Sequence, residues 1–162
     1  MHILLRKLIS HHEISLEEQE AVLSVLGPTI KFRRGIDIIP DGSIPKHTTV
    51  MLSGTACRYK ILPGGTRHIL SFQYPGDMTD LYSYVMKKLD HAVGALSDCT
   101  IAQITNEHIA ALCEKYPNLQ YSFWATLCWT HPFLTIGSWV GAARRANVWL
   151  TCCVKYMCAF LR

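Results

Sequence analysis

The amino-acid sequence predicts a mainly β fold, a double-stranded β-helix (jelly roll) with flanking helices. Three observations predict it. Residues 29–33, 37–39, 48–52, 55–62, 67–74, 92–96 and 100–104 are short runs rich in β-branched and aromatic residues, each bounded by Gly, Pro, Asp or Ser. Pro63-Gly64-Gly65, between two of those runs, has hairpin-turn chemistry. Helical signals stand before the first run and after the last. Many short strands at regular spacing manage their sheet edges by folding double.

Taken in order, Ile3, Leu4, Leu5, Leu8 and Ile9 give a short amphipathic helix. Ser15-Leu16-Glu17-Glu18 is a capping box, in which the Ser15 hydroxyl takes an orphan amide and Glu18 reaches back. It opens a second helix through Leu26, closed at Gly27-Pro28, with Leu16, Leu23 and Leu26 expected on the buried stripe. In the run 56–61, Cys57, Tyr59 and Ile61 face one way and Ala56, Arg58 and Lys60 the other. A strand ends at Tyr74, Pro75-Gly76 turns the chain, and a polar loop leads through 82–88 to a strand that re-enters at Ala92. Asn106 is expected to cap a helix with Ile109, Leu112 and Cys113 facing inward, ending before Pro117. Pro117 suits the first position of the next helix, where Leu119, Phe123 and Leu127 share a face.

The length fits one domain with a real core. The net charge of +4 is localised. No acidic residue follows Glu114, while Arg144, Arg145, Lys155 and Arg162 lie beyond Leu127, so residues 1–127 balance at 12 basic against 12 acidic. Four of the seven cysteines and three of the four tryptophans also fall beyond Leu127, so the composition changes there. Seven cysteines without a signal peptide favour a reducing compartment. None has CxxC spacing, which argues against a zinc site. Cys57, Cys99 and Cys113 are expected as buried structural thiols.

Six local patterns recur in a particular order across residues 15–127. They are Leu16-Glu17-Glu18, Gly35 in the first turn, Leu52-Ser53-Gly54 before the hairpin, Pro75-Gly76-Asp77, Asp90-His91-Ala92, and Glu114-Lys115-Tyr116-Pro117 before the last helix. Together they resemble the sensor half of Crp/Fnr-type bacterial transcription regulators, with 74–96 in the place of the phosphate-binding cassette of a cyclic-nucleotide-binding domain. The resemblance implies a sensor domain over 1–116 and a long C-terminal dimerisation-type helix beginning at 117–127, with Leu119, Phe123 and Leu127 as its pairing candidates. In that family a helix-turn-helix follows and reads DNA.

The resemblance also implies which residues line the pocket: Gly76, Asp77, Asp80, Tyr82 and His91. Cyclic-nucleotide receptors carry a Glu for the ribose hydroxyl and an Arg whose planar fork meets two phosphate oxygens at once. Here that pair falls on Asp90-His91, Asp80 stands near the Glu position, and no Arg lies between Gly76 and Leu96. Lys87 and Lys88 would be point charges at best. Cyclic AMP or GMP binding is therefore not expected. For His91 the plainer expectation is a satisfied histidine at a strand start, and for Tyr82 a core aromatic.

Other chemistries lack their residues. A cupin-type metal site needs two histidines one residue apart, a nearby acid and a later histidine. His68 has no such partner and His11-His12 lie outside the barrel. An iron–sulfur cluster like that of oxygen-sensing relatives needs closely spaced N-terminal cysteines, and none precedes Cys57. No nucleophile–base pair, phosphate-cradling loop or paired carboxylates point to an enzyme. Arg144 and Arg145 alone are too few for strong phosphate neutralisation.

The tail has a different character from the rest. Pro132 interrupts a helix that the family would continue. Codons that encode Ala146–Phe160, read from the third base of the first, can spell Glu-Arg-Met-Ala-His-Leu-Leu-Arg-Glu-Ile-Tyr-Val-Arg-Leu, similar to the helix that opens the family's DNA-binding domain. The expectation is a single-base slip near residues 124–130, leaving 128–162 as an aberrant Cys/Trp-rich tail without a helix-turn-helix. Such a chain would sit in the cytoplasm and sense an unknown small effector. It would pair with itself or with a full-length relative, and reach DNA only through an intact partner. The competing expectations are a genuine divergent tail and a stand-alone, non-enzymatic binding module, attached to a membrane through the charge-free stretch 117–143.

Overall fold

A computed structural model describes residues 1–10, 12–44, 46–81 and 89–130. Two helices, α1 (Ile3–Ile9) and α2 (Leu16–Ser24), precede strands β1 (Ile30–Phe32), β2 (Asp37–Ile39), β3 (His47–Ser53), β4 (Ala56–Ile61), β5 (Arg67–Gln73), β6 (Ala92–Ala95) and β7 (Cys99–Thr105). Helices α3 (Asn106–Lys115) and α4 (Pro117–Thr130) follow. All seven strand runs and both helix pairs read from the sequence are present, with ends that move by a residue or two. Residues Met1–Thr130 form one compact unit.

The strands build two antiparallel sheets, β1-β7-β3 and β2-β6-β4-β5. Helices cover the three-stranded sheet, and the four-stranded sheet packs on its other side. Strands β3 and β7 therefore have two buried faces, and their sequences show both. Val50 and Ile104 join a core with Leu4 and Leu8 of α1, Ile109 and Leu112 of α3, and Leu119 and Phe123 of α4. Met51 and Ile101 join a second core between the sheets, with Ile39, Ala56, Val93 and Ala95. A strand buried on both faces reads as a continuous apolar run, as Val50-Met51-Leu52 does. Gly54 ends β3 at φ +85°, where a Cβ would meet Asp98 O at 2.3 Å, so the turn into β4 admits only glycine.

The Ser15–Glu18 capping box forms: Glu18 N donates to Ser15 Oγ at 3.3 Å and Ser15 N to Glu18 Oε2 at 2.8 Å. The buried stripe of α2 is corrected. Leu16 is 77% exposed and Leu23 is at the surface, while Val22 is fully buried and Ala21, Val25 and Leu26 pack against the core. The physical reason is the cap itself. Holding Glu18 inward, where Asn118 Nδ2 also donates to it, fixes the rotation of the helix and turns Leu16 to solvent. The cap of α3 is corrected by one residue: Thr105 Oγ1 accepts from His108 N, and Asn106 is the first helical residue.

Pro117 opens α4 as expected. Leu119 and Phe123, the pairing candidates, lie inside this chain's own helical core, so their apolar surface is not presented to a partner. On α4, Tyr121 faces outward instead. The side chain of Leu127, and residues 131–162 of the expected aberrant tail, lie outside the described residues. Among the described residues, no helix is long and apolar enough to cross a membrane.

Candidate ligand-binding site in the roll interior

Side chains alternate along a strand, so each strand contributes one inward row to the space between the sheets. At one end of that space the rows of β3, β4 and β6 turn polar. The row passes from Met51 to Thr49 on β3, from Ala56 to Arg58 on β4, and from Ala95 and Val93 back to His91 just ahead of β6. All are buried, and Arg58 is 0% exposed. Cross-strand pairing fixes who sits beside whom. Arg58 lies opposite Val93 on β6 and Ser71 on β5, and Gln73 lies opposite Ala56, so Gln73 and Arg58 are diagonal neighbours on the inner face.

Segment 76–79 closes the same end by pairing along the edge of β3. Gly76 N donates to Met51 O at 2.7 Å, Met51 N to Asp77 O at 2.9 Å, and Thr79 N to Thr49 O at 2.8 Å. That pairing carries Asp80 into the interior, where it is fully buried. Thr79 Oγ1 donates to Asp80 Oδ2 at 2.9 Å. Burial pushes the Asp80 carboxyl up from its ordinary range; the Arg58 charge, the Thr79 hydroxyl and His91 pull the other way.

The sequence-predicted site residues divide. Asp80 and His91 are buried at the polar end of the roll. Gly76 and Asp77 belong to the turn beneath it. Gly76 takes φ +95° and a Cβ there would press on Ile3 O of α1 at 3.1 Å. Asp77 accepts from Tyr74 N at 2.8 Å and pairs with Lys7 of α1, so both of its oxygens hold structure. Tyr82 lies outside the described residues. His91 Nδ1 is 3.2 Å from Asp90 Oδ1, and Lys60 Nζ is 3.3 Å from Asp90 Oδ2. Asp90 therefore faces solvent, with its side chain 72% exposed, and does not enter the interior. The hydrogen bond from His91 and the charge of Lys60 hold its carboxyl well below the usual range.

Arg58 and Gln73 were not among the candidates. A single arginine in an alternating strand reads as a solvent-facing residue, and β4 inverts that rule: Cys57 and Tyr59 form the outer row, with Tyr59 Oη on Asp37 at 2.8 Å and Arg67 stacked 3.6 Å over the ring. The signal available in the sequence was that Arg58 shares its row with Ala56. Cys57 and Cys99 are buried, and burial pushes the Cys113 thiol up to about 11, which fits inert structural thiols. Among the described residues, no group of three or more His, Cys, Asp and Glu could hold a metal ion.

The family model for the cyclic nucleotide-binding domain matches residues 29–116, more than half of the chain. The chain belongs to the cyclic nucleotide-binding domain family. Solved structures agree on the fold. The catabolite activator protein of Thermus thermophilus superposes with a TM-score of 0.67 at 19% identity, covering 91% of this chain and 63% of that one. The sensor domain of the transcriptional regulator DNR from Pseudomonas aeruginosa gives 0.64 at 15%, covering 78% and 85%. The regulatory subunit of a cAMP-independent protein kinase A from Trypanosoma brucei gives 0.67 at 14%, covering 83% and 47%. No curated protein matches the chain. The resemblance read from the sequence thus holds for the cyclic nucleotide-binding domain and its fold. As a cyclic nucleotide-binding domain, the chain is a ligand-binding regulatory module by family.

Proposed function

We propose that this chain is the effector-sensing part of a Crp/Fnr-type transcription regulator, a non-enzymatic cytoplasmic protein that pairs through α4 and does not respond to cyclic AMP or GMP. The sensor spans 1–116 and the pairing helix starts at 117. The observation that carries the reading is the cassette: its residues 76–79 pair along β3, yet the place of the phosphate-gripping arginine holds buried His91, with Asp90 turned to solvent. An exposed carboxylate and an imidazole give no bidentate grip on a cyclic phosphate. The Trypanosoma brucei relative, whose name marks it as cAMP-independent, supports a roll of this kind working without that nucleotide.

Because Leu119 and Phe123 are committed to the chain's own core, pairing would use the outer face of α4 around Tyr121. We further propose that 128–162 supplies no recognition helix, so that operator binding is left to an intact partner. Thermal unfolding of the purified chain against a panel of small polar metabolites, cyclic AMP and GMP included, tests the sensing role. The expected result is a rise of several degrees with at least one panel member, lost in Arg58→Met. A panel with no shift contradicts it.

A further inference from the structure

The segment that follows the Pro75-Gly76 turn is held against β3 in two unequal parts. Its first part is anchored. Gly76 N donates to Met51 O, Met51 N donates to Asp77 O, and the Asp77 carboxylate both accepts from Tyr74 N and pairs with Lys7 of α1. Its second part rests on the burial of Met78 and on one backbone hydrogen bond, from Thr79 N to Thr49 O at 2.8 Å. Asp80 comes next, with its side chain fully buried.

The Asp80 carboxyl is poorly provided for as an anion. Its Oδ2 accepts from Thr79 Oγ1 at 2.9 Å, and its Oδ1 has no hydrogen-bond partner. Among the described residues, no ion pair includes it. A buried carboxylate is costly unless donors or a paired cation meet both of its oxygens, and a group that lacks them is neutralised by a proton instead. With a proton on Oδ1 the desolvated charge is gone and Oδ2 keeps Thr79. The groups that face the carboxyl are Arg58 from β4, His91 ahead of β6, the Thr49 hydroxyl from β3 and Thr79 from its own segment. All of them favour the ionised form, and burial outweighs them.

We infer that Asp80 is a proton-operated latch: with its proton, Thr79 and Asp80 stay seated against β3, and without it the carboxylate draws them outward to water while the Asp77 anchor holds. This does not depend on the sensing role proposed above. The motion is a local opening that breaks one backbone hydrogen bond and leaves the sheets intact. The seated form binds the proton more tightly than the open one, so seating is most favoured at low pH. Between the ordinary value of 3.8 and the seated-state value, the ratio of seated to open falls by about tenfold per pH unit, and above that it levels off.

Amide hydrogen exchange of the purified full chain tests this, read from about pH 4 to about pH 8 and corrected for intrinsic exchange. The Thr79 amide is expected to be less protected than those of Met51 and α3 at every pH. Its protection should fall by about tenfold per pH unit and then reach a plateau. In Asp80→Asn, whose amide is uncharged throughout, the Thr79 profile should be flat. A flat profile in the wild type, the same slope in Asp80→Asn, or a Thr79 amide as protected as those of α3 overturns the inference. Should Asp80→Asn fail to fold, the Asp80 carboxyl carbon shift of the wild type decides. A midpoint above 3.8 that coincides with the Thr79 curve supports the latch, and any other midpoint overturns it.

Discussion

The domain has two interiors, and they are built on different terms. The one under the helices joins Leu4, Leu8, Val50, Ile109, Leu112, Leu119 and Phe123 and is apolar throughout. The one between the sheets is apolar at the Ile39, Val93, Ile101 end and polar at the Thr49, Arg58, Asp80, His91 end. Burial alone stabilises the first, roughly in proportion to the area removed from water. The second sets buried ionisable groups and, among the described residues, the unmet acceptors Asp80 Oδ1 and Gln73 Oε1 against that gain. A protein keeps such a cluster where it has a use for it, and a recognition site is one such use. The helical core holds the domain together, while the roll interior carries the polar groups on which the proposed recognition rests.

The largest effect should come from the helical side. Leu119→Ala removes a fully buried side chain where α1, α3 and α4 meet, and about 2–5 kcal/mol of stability should be lost in urea unfolding. Ligand preference at the roll should not change. A Leu119→Ala variant that kept its stability would break the comparison at its stronger end.

Coupling comes next. Asp80→Asn should cost more stability, or relieve less, in the wild type than in an Arg58→Met background, with a coupling of about 0.5–3 kcal/mol in a double-mutant cycle. Additive effects would mean that the two charges do not see each other. The pH dependence carries the same information. The carboxyl of Asp80 is raised in the folded state above its ordinary value of 3.8, so the folded chain holds its proton longer than the unfolded one. Its contribution is therefore most favourable at low pH and is lost as pH rises through the folded-state value. Wild-type stability relative to Asp80→Asn should fall across that window, read as melting temperature against pH.

The smallest effect is local. Ser15→Ala deletes one half of the capping box and should cost about 1 kcal/mol, since one orphan amide of α2 loses its acceptor. A loss much above that would show that the cap also holds Glu18 against Asn118 of α4.

How much of this was legible in the sequence follows the same division. Strands, hairpin, the capping box and Pro117 at a helix start are written in local chemistry, and the structure has them where the residues put them. The stripe of α2 was misread because amphipathic spacing offers more than one face. The choice among them belonged to Glu18, whose inward pull is a tertiary matter. The pairing role of Leu119 and Phe123 was read from a shared helix face, but a face says nothing of whether the neighbour is the same chain or another. In the site, the absence of a cassette arginine was visible directly. The arginine that the roll does hold was not, because Arg58 enters from β4 and only the register against Val93 and Ser71 shows that its row points inward. Nor does the sequence show that Asp90, one residue from His91, turns outward to Lys60.

The most direct test is calorimetric titration of the purified wild-type chain with cyclic AMP. A cassette whose arginine position holds His91 predicts no saturable binding tighter than about 1 mM, equivalent to about 4 kcal/mol. Saturable binding near 1 µM, weakened by Asp80→Asn, would contradict it, because Arg58 would then be gripping the phosphate with Asp80 on the ribose.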